Sequence, residues 1–339
     1  MAATGLRKVA GVTEARVDFP LAALGTLPGV RVFWSEERLA LGGLRPPGVL
    51  VFHRRFLVEP EVQANLERLA AAGWVLVSDQ DDDPRHWREY VESDFYAYRC
   101  VHAVSVSTEP LARLMRQWNP HVAVLPNGVL ALPDRPPRAD GRVRIFFGAL
   151  NRQDDWRSML PALQGALKRL RDQVEVVVVH DCAFHDALAD GVARTFHPTL
   201  PPAEYLRVLA SCDLALLPLA DTPFNRLKSD LKLVECAAAG VVPICSPVVY
   251  GSDPHHHEVA VFAETPEQWA AALERLVKES EERARRAARG RAWVAVERMH
   301  GRLAPARAAW YRRLLAERSR LEEERQARLA AWRARFPTP

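Results

Sequence analysis

Residues 223–246, PFNRLKSDLKLVECAAAGVVPICS, set Lys228, Lys232 and Glu235 at i, i+4 and i+7 beside an apolar stripe of Leu227, Leu231, Val234 and Ala238. On one helix those three charges share a face. A carboxylate placed there can hold a ribose diol by two hydrogen bonds, and an ammonium at the helix start can hold a diphosphate. The competing reading is a solvent-facing Lys-Glu pair. Ser229 or Asp230 would cap this helix and Gly240 would end it. Two further runs deliver polar residues just beyond apolar stretches: FFGALNRQDDW presents Gly148, Asn151 and Arg152, and VVVVHD presents His180 and Asp181. A glycine after a strand lets backbone N–H groups approach an anion. An ordinary capped turn accounts for Asn151 and Arg152 equally well. In WVLVSDQDDDPRHW, Asp79, Asp81, Asp82 and Asp83 follow a third apolar run, and His53 follows VLVF. These groups suit acceptor binding or a general base. For DDDP, a turn and helix start is the alternative.

The elements that must position these residues alternate along the chain. GVRVFW, GVLVFH, WVLVSD, AVSVS and VAVLPN read as strands of a first half, with PEVQANLERLAAAG and TEPLARLMRQWN as helices between them. VRIFFG, VEVVVVHD, DLALLPL and VVPICS read as strands of a second half, joined by LPALQGALKRLRD, PPAEYLRVLASC and LKLVECAAAG. Such alternation predicts parallel sheets with crossover helices, that is, α/β with two doubly wound, Rossmann-like domains. Ligands of such sheets bind beyond the carboxyl ends of the strands. The expected division is 1–132, a Pro/Gly-rich linker 133–141, a second domain 142–290, and surface helices over 291–339. A first strand is poorly formed in LRKVAGVTEARV.

The 339 residues, 48% apolar and 26% charged, suit a cored protein of two domains. No apolar run nears the ~20 residues that span a bilayer, and the first twenty residues lack a signal-peptide segment, so the expected location is cytoplasmic. Five dispersed cysteines read as reduced core thiols. The net charge is only +4, with arginine concentrated after Glu279. Without interleaved aromatics that stretch reads as solvated amphipathic helix, and no nucleic-acid partner is expected.

The order VSVSTEPLARLMRQWNPHVAVLPNGV, FFGALN, YLRVLASCDLALLPL and PFNRLKSDLKLVECAAAGVVPICS resembles the retaining GT-B glycosyltransferases of the large nucleotide-sugar family (glycosyl transferases group 1). The resemblance implies two Rossmann-like domains facing across a cleft, with a nucleoside-diphosphate sugar in the C-terminal domain and the acceptor in the N-terminal one. It implies C-terminal helices crossing back, and transfer with retention by front-face attack. Glu235 matches the second glutamate of the family's E-x7-E motif, which binds ribose; Leu227 stands in place of the first. Ala149 replaces the usual arginine, and QDDW replaces the usual lysine.

The expected donor set is Gly148, Asn151, Arg152, His180, Asn225, Arg226, Lys228, Ser229 and Glu235. The expected catalytic set is Asp81, Asp82, Asp83, His53 and Lys228. Asp81 and Asp83 satisfy the D-x-D of metal-dependent transferases of the other fold, but the matched half-sheets favour an enzyme with no metal and no cofactor. The acceptor expected is a glycan, lipid-linked or protein group, with peripheral membrane association through the arginine-rich C-terminal helices. A catalytically silent scaffold and, third, a sugar-nucleotide epimerase are the alternatives.

Overall fold

The computed structural model describes residues 2–5, 11–35, 44–137, 141–149 and 152–336. The chain forms two compact units. Unit 1 comprises residues 1–127, 227–229 and 300–339, and unit 2 comprises residues 128–226 and 230–299.

Unit 1 is built on six parallel strands: β1 (Ala2–Gly5), β2 (Phe33–Ser35), β3 (Gly48–His53), β4 (Trp74–Gln80), β5 (Ala103–Val106) and β6 (Val122–Val124). Their order is β2-β1-β3-β4-β5-β6. β4 is buried along its whole length, because parallel strands are covered on both faces. Its alternation sends Trp74 and Leu76 to one apolar cluster and Val75 and Val77 to the other. Of the stretch LRKVAGVTEARV, where a poorly formed strand was expected, residues 6–10 lie outside the described residues and the described remainder holds no strand. The first strand lies earlier, at Ala2–Gly5, and Glu14–Asp18 is a π-helical turn that runs into the helix Phe19–Gly25.

The two terminal helices, His300–Ala316 and Arg318–Arg335, belong to unit 1 and are not merely solvated. Leu321, Arg325 and Leu329 have no exposed surface. Arg325 donates to Glu67 at 2.9 Å, to Glu322 at 2.7 Å and 2.8 Å, and to the Cys100 carbonyl at 3.2 Å. Burial works against the charge on Arg325, but these carboxylates outweigh it and raise its pKa. Arg325→Met is therefore expected to cost about 2 kcal/mol, less than a fully buried pair because both carboxylates can rehydrate, as a denaturant midpoint would show.

Unit 2 carries β7 (Val143–Gly148), β8 (Val174–Val179), β9 (Ala193–His197), β10 (Leu214–Leu217), β11 (Val242–Cys245) and β12 (Val261–Phe262). All are parallel, in the order β12-β11-β10-β7-β8-β9. The chain steps outward from β7 to β9, then returns to the other side of β7, so the topological switch point lies between β7 and β10. β9 and β12 were not legible as apolar runs: ARTFH is at most half-buried, and VF is two residues long. The helix Leu231–Ala239 ends at Gly240, whose φ of +67° suits glycine. Its small residues admit a second helix, since a Cβ on Gly290 would lie 3.2 Å from that of Ala237. Among the described residues no helix is long and apolar enough to cross a membrane.

Candidate functional site

In unit 2 the polar residues gather at the carboxyl ends of β7, β8 and β10. Lys232, in the first turn of the helix Leu231–Ala239, donates to the Gly148 carbonyl at 2.7 Å and to the Tyr205 hydroxyl at 3.3 Å. Glu235, one turn on, is half-buried and forms no hydrogen bond or ion pair among the described residues. Burial raises its pKa, partly offset by the nearby Lys232 charge. His180 closes the group at the end of β8. Its φ is +78° and its ring lies 6.2 Å from that of Tyr205, nearly parallel. Its buried Nδ1 has no hydrogen-bond partner among the described residues, and burial followed by Lys232 lowers its pKa.

A second knot ties the loops after β7 and β10. Asp155 accepts from the Ala220 N–H at 2.8 Å, from Asn225 Nδ2 at 2.9 Å and from Arg152 at 2.8 Å. Arg152 is thus engaged by a carboxylate, and Arg226 makes an exposed fork with Asp221. Asn151 lies outside the described residues. Gly148 has a packing reason for being glycine: a Cβ would meet the Phe146 ring at 2.5 Å and the Tyr205 ring at 3.0 Å. Gly148→Ala is expected to displace Tyr205 and cost about 1–3 kcal/mol, read from the unfolding midpoint and the Tyr fluorescence.

The shared helical face of Lys228, Lys232 and Glu235 does not form, because the helix starts only at Leu231. Asp230 stands at its N-cap position without bonding it. Its carboxylate instead receives both Arg298 terminal nitrogens, at 2.6 Å and 2.7 Å, with His256 at 3.4 Å. Lys228 and Ser229 belong to unit 1. Lys228 lies 3.4 Å from both Asp82 oxygens, and Ser229 accepts from Asn127 at 2.8 Å. Leu227, where the family's first glutamate would stand, is 9% exposed and packs in the apolar cluster of unit 1 with Leu111 and Met115.

Unit 1 has its own group at the carboxyl ends of its strands. Register pairs His53 with Asp79 and Asp79 with Ser105, so three neighbouring strands present these side chains together. Asp79 accepts from Arg16 at 2.6 Å and 3.1 Å, from Ser105 at 2.6 Å, and from His53 Nδ1 at 3.0 Å. The buried Nε2 of His53 has no hydrogen-bond partner among the described residues. Arg16 continues to the Leu125 carbonyl and to Asn127. Burial opposes ionisation of Asp79, yet the Arg16 charge and these hydrogen bonds hold it well below the usual carboxylate range.

The acids after β4 separate. Asp81 pairs with Arg54 at 2.6 Å, which overcomes burial and lowers its pKa. For Asp82 burial wins over the Lys228 charge and raises it. Adjacent carboxylates pushed in opposite directions are what acid-base chemistry needs. Asp83 does not join them. It accepts from the Arg85 N–H and guanidinium at 3.0 Å, starting the turn Pro84–His86, so its place is the structural one. Among the described residues no group of three or more His, Cys, Asp or Glu could hold a metal ion.

Arg16, Asn127 and Tyr205 lie in these groups without any expected role there, and Asp79 and Lys232, both candidates by position, lie outside the expected donor and catalytic sets. Asp79 and Lys232 are visible as charges in apolar strings; Arg16, in the stretch expected as a poorly formed strand, and Tyr205, in the expected helix PPAEYLRVLASC, carry no further signal.

Residues 152–304 match the model of a glycosyl transferase-like family. No curated protein sequence matches the chain. Among solved structures, WaaG, a glycosyltransferase involved in lipopolysaccharide biosynthesis, superposes with a TM-score of 0.60 at 13% identity, over 90% of this chain and 98% of its own. Anabaena HepE, crystallised with UDP and glucose, gives 0.62 at 14% identity over 91% and 98%. TarM gives 0.56 at 8% identity over 78% of this chain, which spans only 54% of TarM. The two parallel-sheet α/β units are those of the GT-B glycosyltransferase fold.

Proposed function

We propose that this protein is a glycosyltransferase whose unit 2 binds a nucleoside-diphosphate sugar at the β7/β10 switch point and whose unit 1 binds the acceptor. The observation that carries the reading is Glu235, a half-buried carboxylate without a bond of its own among the described residues, standing one turn from Lys232 beside the end of β7. An ionised acceptor-only group in that position suits the two hydroxyls of a ribose, and Lys232 supplies a cation for the diphosphate. The reading is supported by the family model, which spans Lys232 and Glu235, and by the UDP-glucose complex of HepE. Stabilising the departing diphosphate is the main electrostatic task, and no metal is assigned to it. Asp82, raised by burial, is the group suited to exchange a proton with an acceptor hydroxyl. Retention of configuration goes with the family resemblance and is checked by the anomeric coupling of the product.

A silent scaffold is the second reading, favoured by Leu227 being packed in an apolar cluster and by Ala149 standing buried after Gly148. A thermal-shift and hydrolysis screen against nucleoside-diphosphate sugars separates the two. A donor that raises the melting temperature and is turned over supports the enzyme; failure of every donor to bind leaves the scaffold.

A further inference from the structure

The helix His300–Ala316 carries an arginine whose charge its surroundings do not neutralise. Arg307 is 4% exposed, its polar neighbour is the Tyr311 hydroxyl, and it forms no ion pair among the described residues. Asp79 attracts it from a distance and Arg16 repels it. Asp79 is already taken by the Arg16 fork, and Asp81 and Asp82 are matched by Arg54 and Lys228. Two buried guanidinium groups, Arg16 and Arg307, thus both draw on Asp79, with Asp81 adding a weaker attraction to Arg16. An isolated buried charge is costly, so a partner anion would relieve it.

A cavity of about 220 Å³ opens beside this group at the carboxyl end of β6. Arg307 and Arg313 line it, Val124, Pro126, Leu303 and Trp310 form apolar walls, and none of its lining residues is acidic. Arg313 is exposed and forms no ion pair among the described residues. The volume falls below the ~300–1,000 Å³ of pockets for drug-sized ligands. It suits a small oxyanion or an anionic sugar.

We propose that this cavity is an oxyanion site of unit 1, with Arg307 as its buried cation and Arg313 at its mouth, taking a phosphate or carboxylate group. If unit 1 binds the acceptor, as proposed above, the anion is a substituent of that acceptor; that part alone rests on the glycosyltransferase reading. The shared chemistry is equally that of a free anion.

Melting of the full chain at constant ionic strength tests the site, with inorganic phosphate, a hexose 1-phosphate and the neutral hexose as probes. Phosphate should raise the melting temperature saturably, and Arg313→Ala should weaken the apparent affinity roughly tenfold. Arg307→Met should melt higher than wild type without anion and lose the response, whereas Lys232→Ala, in unit 2, should keep it. No saturable response, a response intact in both arginine variants, or one lost only in Lys232→Ala overturns the proposal. A hexose 1-phosphate that saturates at lower concentration than phosphate supports the acceptor assignment. Equal saturation by the two overturns that assignment and makes the site one for a free anion. The phosphate response is read independently of the donor screen, so failure of every donor removes the glycosyltransferase reading and leaves the oxyanion site standing.

Discussion

Asp79→Ala is expected to destabilise unit 1 by about 3–5 kcal/mol, because it removes the carboxylate bonded to buried Arg16 that also attracts buried Arg307. The loss is larger than for Arg325, whose partners can reach water. Asp79 is 2% exposed and Arg16 3% exposed, so neither can rehydrate without opening the sheet edge. His53 and Ser105 would lose their acceptor at the same time. Most of the cost is the charge left behind, so replacing Arg16 and Asp79 together by apolar residues should recover a large part of it.

The pH dependence follows from the sign of the shift. Asp79 is held well below its unfolded pKa of about 3.9, so its contribution is fully present above that pH and is lost as pH falls toward the folded value. Wild-type stability should therefore drop with acid below about pH 4, and the drop should be shallower in Asp79→Asn. Urea midpoints across that range measure both. A change within about 0.5 kcal/mol for Asp79→Ala at neutral pH would mean the pair is not buried as described.

Glu235→Ala is expected to weaken donor binding by about 1.5–3 kcal/mol, the value of hydrogen bonds to a charged group, which is roughly tenfold to a hundredfold in Kd. This rests on the proposed function, and the protein should stay folded, since Glu235 has no bond to lose among the described residues. Its sign for folding is opposite to that of Asp79. An acid whose pKa is raised by burial lends more stability when protonated, and that share falls as pH rises through the folded pKa. Donor binding needs the ionised form, so affinity should rise with pH through the same raised pKa. Glu235→Gln should flatten that profile. Calorimetric titration with whichever donor binds gives both quantities, and an unchanged Kd in Glu235→Ala would place the ribose elsewhere.

Lys232 and Lys228 show why spacing alone misplaces a group. They are four residues apart, yet the helix starts between them. Lys232 reaches Gly148 in unit 2 and Lys228 reaches Asp82 in unit 1. Asp81, Asp82 and Asp83 are consecutive, and one is held by Arg54, one is raised by burial, and one starts a turn. The arginine-rich end read as solvated, since a composition count cannot separate Arg307 and Arg325, both buried, from exposed neighbours on the same helices.

By itself the sequence determined the local terms: the continuous apolar runs that must become covered parallel strands, the glycine at 240 that ends a helix, and the polar residues that follow each strand. These depend on backbone preference and periodicity, which are readable over ten residues. Tertiary structure alone decided which charges meet. Arg16 finds Asp79 across 63 positions, and Arg325 finds Glu67 across 258. Partner choice and burial set each carboxylate's pKa, and neither is a property of the neighbouring letters.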